Sequence, residues 1–228
     1  LAALLLCSGC MATVDQMYRL PKRSEEVANL QAAMDSAMDG LSYSAPLTGE
    51  NQQTVQTVDL DGDGDLEYVV FAKGYSEKPM KILIFSKENE HYQLRSVIES
   101  NGSAFDQVEY IQLDGTPGLE IVAGYQVSDQ VLRSVCVYRF DGYQATRLVN
   151  ANYVRFITCD LDMDGLSEVM VLRPGILETD NGVAEVYGME NGLVERSSEA
   201  VMSESVYKLK RLITGRLHDG VPAVFVGS

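Results

Sequence analysis

The sequence predicts an all-β chain, a β-propeller-like array of four-stranded blades with three full repeats and a partial fourth, preceded by one short N-terminal helix. Three observations predict it. The stretch "LDGDGDLEYVVF" from Leu60 recurs as "LDGTPGLEIVAG" from Leu113 and "LDMDGLSEVMVL" from Leu161, with a shorter "LHDGVPAVFVG" from Leu217. The four starts lie 53, 48 and 56 residues apart. A second landmark keeps the same phase: Phe85, Tyr138 and Tyr187 follow Leu60, Leu113 and Leu161 by 25, 25 and 26 residues, each just before an Asn, Asp or Gly turn. From Gln53 onward helical periodicity gives way to short runs rich in Val, Ile and Tyr, punctuated by Gly, Asp and Asn, which is strand-and-turn patterning. Four short antiparallel strands recurring about every fifty residues is the pattern of a propeller blade.

The elements follow in order. Residues 1–10, "LAALLLCSGC", read as the remnant of a secretory signal, too short to span a bilayer. Its end, Cys7-Ser8-Gly9-Cys10, resembles a bacterial lipoprotein box, which implies lipidation of Cys10 and an extracytoplasmic, membrane-anchored protein. Residues 11–52 read as a linker and a short helix. Ser24 is placed to cap the helix, and Glu25 and Glu26 suit its positive end. Val27, Leu30, Met34, Ala37, Met38 and Leu41 recur at steps of three and four and form one apolar face. Gly40 ends the helix, and Ser42 to Gln52 read as a loop. Residues 53–228 hold the repeats, about 53–106, 107–153, 154–205 and a partial 206–228. In the first, the strands are "QTVDL", "EYVVFA", "KILIFS" and "HYQLRSVIE". Closed propellers have at least four blades, so the chain is expected to be part of a longer one, lacking residues at both ends.

The turn opening each repeat carries the chemistry. Taking Asp59 as the first position, Asp61, Asp63 and Asp65 are the third, fifth and seventh, and Glu67 is the ninth. Calcium takes six to eight oxygens at about 2.3–2.6 Å. Alternate carboxylates can face one point, Gly64 permits the sharp turn, Asp65 offers its backbone carbonyl and Glu67 closes the cage. The third repeat matches with Asp160, Asp162, Asp164, Leu166 and Glu168. Leu166 stands where Asp65 does, as a position read only through its carbonyl allows. An EF-hand needs a Glu at the twelfth position, and Val70 and Val171 stand there inside strand-like runs. Two calcium sites are therefore expected. The second repeat, with Gln112, Asp114, Thr116, Gly118 and Glu120, has too few carboxylates for a third, and the turn at His218-Asp219-Gly220 is a plain one.

The Asp-x-Asp-x-Asp-Gly-x-x-Glu loop followed by an apolar strand, once per repeat, resembles the FG-GAP/VCBS-type repeats of integrin-like propellers and bacterial surface proteins. "AKGY", "AGYQ" and "RPGI" stand where the name-giving residues of that motif would be, which places the chain nearer the divergent bacterial relatives. The resemblance implies calcium-stabilised blades and extracellular binding of a protein or glycan.

Composition narrows the partners. With 33 acidic against 18 basic residues the formal charge is −15, which disfavours nucleic acid and anionic membrane surfaces for the body of the protein. Contact with a membrane is expected only through the lipid anchor. Cys136 and Cys159 sit in strand-like runs and read as buried thiols, although a disulfide is allowed in that compartment. The chain holds two histidines, His91 and His218, and no Ser/His/Asp spacing, phosphate-cradling loop or zinc set. The reading is a non-catalytic, lipid-anchored calcium protein that presents a binding surface. An envelope scaffold is the first alternative and a hydrolytic enzyme the second.

Overall fold

A computed structural model describes residues 25–89, 91–127, 133–177 and 179–227. Ser24, Cys7 and the lipidation candidate Cys10 lie outside the described residues. Among the described residues, one α-helix, α1 (Glu25–Ala37), precedes the strands. Among the described residues the strands form four antiparallel sheets that follow one another along the chain. The first contains β1 (Ser42–Tyr43), β2 (Val55–Val58), β3 (Glu67–Lys73), β4 (Met80–Glu88) and β5 (His91–Ser100). The second is β6 (Ala104–Ile111), β7 (Glu120–Gln126), β8 (Arg133–Phe140) and β9 (Ala145–Tyr153). The third is β10 (Arg155–Cys159), β11 (Glu168–Arg173), β12 (Val183–Glu190) and β13 (Leu193–Val201). The fourth pairs β14 (Arg211–Arg216) with β15 (Pro222–Gly227), after a single 3-10 turn at Val206–Lys208.

The first three sheets are built on four-stranded meanders, and their second and third strands bury residues on both faces. In β3, Val69 and Phe71 enter a core shared with the second sheet, while Val70 and Ala72 face α1. In β8, Cys136, Tyr138 and Phe140 face the first sheet, and Val135 and Val137 face the third. Leu172 of β11 joins a smaller cluster with Val206 and Leu209. This two-sided burial is why the runs "EYVVF" and "SVCVY" are nearly continuous in apolar residues rather than alternating. Edge-to-face pairs tie the layers, with Phe71 against Phe105 at 5.1 Å and Tyr153 against Phe156 at 5.0 Å between ring centres. Cys136 and Cys159 are free thiols.

The second sequence landmark has a structural counterpart. The pairing of the third and fourth strands of each full sheet shifts register between Phe85, Tyr138 or Tyr187 and the residue before it. Each of these aromatics pairs with the residue after the repeated Glu: Tyr68, Ile121 and Val169. The extra residue at each shift lies on the fourth strand, at Arg95, Leu148 and Ser197, so each full unit carries a bulge opposite its landmark aromatic.

Helix α1 covers the outer face of the first sheet through Leu30 and Met34, with Ala33, Ala37, Met38 and Leu41 packed beside them. Asn29 Oδ1 accepts the Tyr92 backbone N–H at 2.6 Å. Gly40 adopts φ +72° just past the helix, as its place after the last turn requires. Val27, expected on the apolar face, is 49% exposed in the first turn. The segment expected to be a simple loop from Ser42 to Gln52 is more ordered than that. Ser42 and Tyr43 pair with Lys73 and Ala72 on the edge of β3 that β2 continues. The chain between β1 and β2 then reaches the second sheet, where Thr48 N–H donates to the Asp106 carbonyl at 2.8 Å and Asn51 Nδ2 to that of Val108 at 3.1 Å. These are long-range bonds, without a local pattern to announce them.

Two glycines separate conformational strain from packing. Gly64 has φ +91° and open space around it, whereas Gly118 has φ +97° and its Cβ would stand 2.2 Å from the Leu60 carbonyl oxygen. Gly64→Ala is expected to cost about 1 kcal/mol, from the left-handed backbone alone. Gly118→Ala adds a backbone clash between two units and is expected to cost at least about 3 kcal/mol, as forced strain in a packed site does. Urea denaturation of the two variants checks this; equal losses would contradict it.

Candidate metal centres

The acidic turns lie between the first and second strands of the first and third sheets, between β2 and β3 and between β10 and β11. Their backbones are wound by their own carboxylates. In the first, Asp59 Oδ1 accepts from Gly62 N–H at 2.7 Å and its Oδ2 from Gly64 N–H at 3.2 Å. Asp61 Oδ1 accepts from Asp63 N–H at 3.3 Å, and Asp63 Oδ1 from Asp65 N–H at 2.8 Å. The third repeat reproduces this set. Asp160 takes the amides of Met163 at 2.7 Å and Gly165 at 3.2 Å, Asp162 that of Asp164 at 3.1 Å, and Asp164 that of Leu166 at 2.8 Å.

Glu67 Oε2 accepts the Leu60 amide at 2.8 Å, and Glu168 Oε2 the Leu161 amide at 2.6 Å. These bonds span the seven residues that separate Leu from Glu in every repeat. Glu120 makes the same bond to the Leu113 amide at 2.8 Å, although its turn is not acidic. Closing the turn is thus a role the repeated Glu has irrespective of any cation, and its second oxygen is left for one.

One oxygen from each of Asp59, Asp61 and Glu67 lies within 4.8 Å of the others, and the same holds for Asp160, Asp162 and Glu168. Two oxygens bound to one calcium at about 2.3–2.6 Å stand at most about 5 Å apart, so either group could hold a metal ion. The structure brings together these six of the residues singled out by sequence. Asp63 and Asp164 are outside the tight groups and spend one oxygen on a backbone amide. Asp65 and Leu166 enter the reading through their carbonyls; the Asp65 side chain is exposed, and that of Leu166 is half-buried beside Gly115 of the neighbouring turn.

The second repeat shows what stands at that centre when carboxylates are missing. Gln112 occupies the place of Asp59, and its Nε2 donates to the carbonyls of Thr116 at 2.6 Å and Gly118 at 3.0 Å. Gly118 is the seventh position, the one whose carbonyl the acidic turns are expected to offer. Asp114, in the place of Asp61, receives Arg139 Nη1 at 2.8 Å and the Thr116 hydroxyl at 2.6 Å. A side-chain amide and a guanidinium therefore supply the positive hydrogens within this turn. Arg139 directly follows the landmark Tyr138; the matching residues are Ser86 and Gly188, neither of which carries a charge. That one-residue difference was visible in the sequence and marks the turn as self-sufficient.

Ionisation follows the same logic. Burial pushes Glu67 up to about 7, against the opposing Leu60 amide, with Asp61, Asp63 and Asp59 adding repulsion. Burial likewise pushes Glu120 up to about 7 and raises Glu168. Burial would raise Asp114 too, but the Thr116 bonds and the Arg139 guanidinium outweigh it and hold the carboxyl below its usual range.

The three turns touch in sequence. A Cβ on Gly62 would meet Pro117 at 2.4 Å, and Ser167 N–H donates to the Gln112 carbonyl at 2.7 Å. The short turn near Leu217 is a plain hairpin, closed by Leu217 N–H on the Val221 carbonyl at 2.8 Å.

No family model matches the sequence, and no curated protein matches it. The resemblance to FG-GAP/VCBS-type repeats therefore rests on the turns and their spacing. Solved structures do match. Among them is the exotype rhamnogalacturonan lyase YesX, with a TM-score of 0.48 and 14% identity, over 82% of this chain and 39% of that one. The chain thus spans about 39% of the length of that structure. The match leaves function to be read from the sites.

A raised carboxyl favours the folded state while it is protonated. Glu67 and Glu120 move from 4.5 to about 7, so their contribution is complete below pH 4.5 and is lost as pH rises through about 7. With metal removed by chelator, stability to urea is expected to fall between pH 5 and pH 7.5. Glu67→Gln with Glu120→Gln, which keep an acceptor for the amide bonds, should flatten that slope. An unchanged slope in the double variant would contradict the assignment.

Proposed function

We propose that this chain is a non-catalytic, calcium-stabilised repeat protein whose successive sheets are blades of a β-propeller-like array. It is held outside the cytoplasm by a lipid on Cys10 and presents a surface for a protein or glycan. The observation that carries the calcium reading is the contrast between turns. Two gather three carboxylates around one point, and the intervening one puts Gln112 and Arg139 there instead. Calcium suits the first two better than magnesium, which keeps its waters and seldom uses an all-protein cage. The blade reading is supported by the four-stranded meander that recurs in successive sheets and by cores shared between neighbours. The lipoprotein reading rests on the sequence around Cys10. Calcium would cancel the repulsion within each acidic turn and fix its contacts with the next.

Thermal melts with calcium, magnesium and chelator test the metal. At a calcium concentration a hundredfold above its Kd, each site adds about 2.7 kcal/mol. That corresponds to roughly 5–10 °C for a chain of this size. Asp61→Ala and Asp162→Ala should each remove about half of the rise, and magnesium should give much less. Melting unaffected by calcium would overturn the metal reading. Capture of envelope proteins, set beside a glycan array, separates a scaffold from a glycan binder.

A further inference from the structure

A cleft of about 940 Å³ opens where the first strands of the second, third and fourth sheets approach one another, with Thr48 and Gly49 closing one side. It lies at the beginning of β6 and β10, the opposite end of those strands from the turns at 112–119 and 160–167. Its charge is unlike the rest of the chain. Among the described residues that line it, Asp106 is the single acid and is 2% exposed. The Tyr153 hydroxyl donates to Asp106 Oδ2 at 2.6 Å, and Arg133 Nη1 stands 3.2 Å from the same oxygen. Asp106 Oδ1 is buried without a hydrogen-bond donor. Arg155, Lys210 and Arg211 also line the cleft. They are exposed, and among the described residues no acid lies within ion-pair distance of them.

Among the described residues, four cations thus line the cleft beside one acid, in a chain whose formal charge is −15. Unpaired cations gathered around a concave surface raise the local concentration of anions, and guanidinium groups bind carboxylate and phosphate oxygens through paired donors. We propose that the cleft binds a small organic anion, its carboxylate or phosphate held by Arg155, Lys210 and Arg211. In this arrangement Asp106 is a positioning residue, holding Arg133 and Tyr153 at the floor. The inference is independent of the metal turns.

Calorimetric titration of the calcium-loaded full chain tests it with three probes on one ring: glucuronate, glucose 1-phosphate and glucose. The expected result is binding of one or both anions, weakened at least tenfold by 0.5 M sodium chloride, with glucose bound at least tenfold more weakly. Which anion binds identifies the oxyanion as carboxylate or phosphate. Arg155→Gln with Lys210→Gln alters two exposed side chains and should leave the melting temperature unchanged while weakening binding at least tenfold. Failure of both anions to bind at millimolar concentration would overturn the proposal. So would glucose binding as well as the anions, or a folded double variant that binds them unchanged.

Discussion

One hydrogen bond recurs in every full unit: a Glu carboxylate at the start of the second strand accepts the amide of a Leu seven residues earlier. Glu67 closes on Leu60, Glu120 on Leu113 and Glu168 on Leu161. The bond fixes the turn between first and second strands and satisfies a backbone donor beside a buried side chain, since Leu60 is 1% exposed and Leu113 is fully buried. It also places a carboxylate against low-dielectric protein, which is why burial raises these Glu residues. The turns then pack against their neighbours through Gly118 and Ser167, so the geometry of one unit constrains the next.

The electrostatic problem created by that bond has two solutions in one chain. In the second unit, Arg139 and the Gln112 amide bring positive hydrogens to the centre of the turn, and Asp114 is consequently held ionised. The first and third units bring more negative charge instead, and Ser86 and Gly188 leave no internal cation beside it. A bound divalent ion is the external counterpart of Arg139 and Gln112. Comparison of the three turns carries more weight than any one acidic cluster, because exposed acidic turns are common without metal.

Much of this organisation was legible in the sequence because it is local and repeated. The Leu-to-Glu interval reports a hydrogen bond, and the phase of Phe85, Tyr138 and Tyr187 reports their pairing with the residue after that Glu. The apolar face of α1 was readable except at Val27, which is exposed in the first turn. The excursion between β1 and β2 was not readable, since its partners, Asp106 and Val108, lie more than fifty residues away. Asp106 likewise sits in "AFDQVEY" with nothing local to distinguish it from a solvated acid. Its importance arises when Tyr153 and Arg133 from two other strands close over it. Spacing found the turns; only tertiary structure could assemble the cleft.

The most direct test is the number of calcium ions bound per chain, measured by equilibrium dialysis with the protein at neutral pH. The account predicts two for the unaltered chain and one for Asp160→Ala, because the Gln112 turn already holds its own positive hydrogens. Binding of no calcium, or of a third ion with comparable affinity, would contradict it.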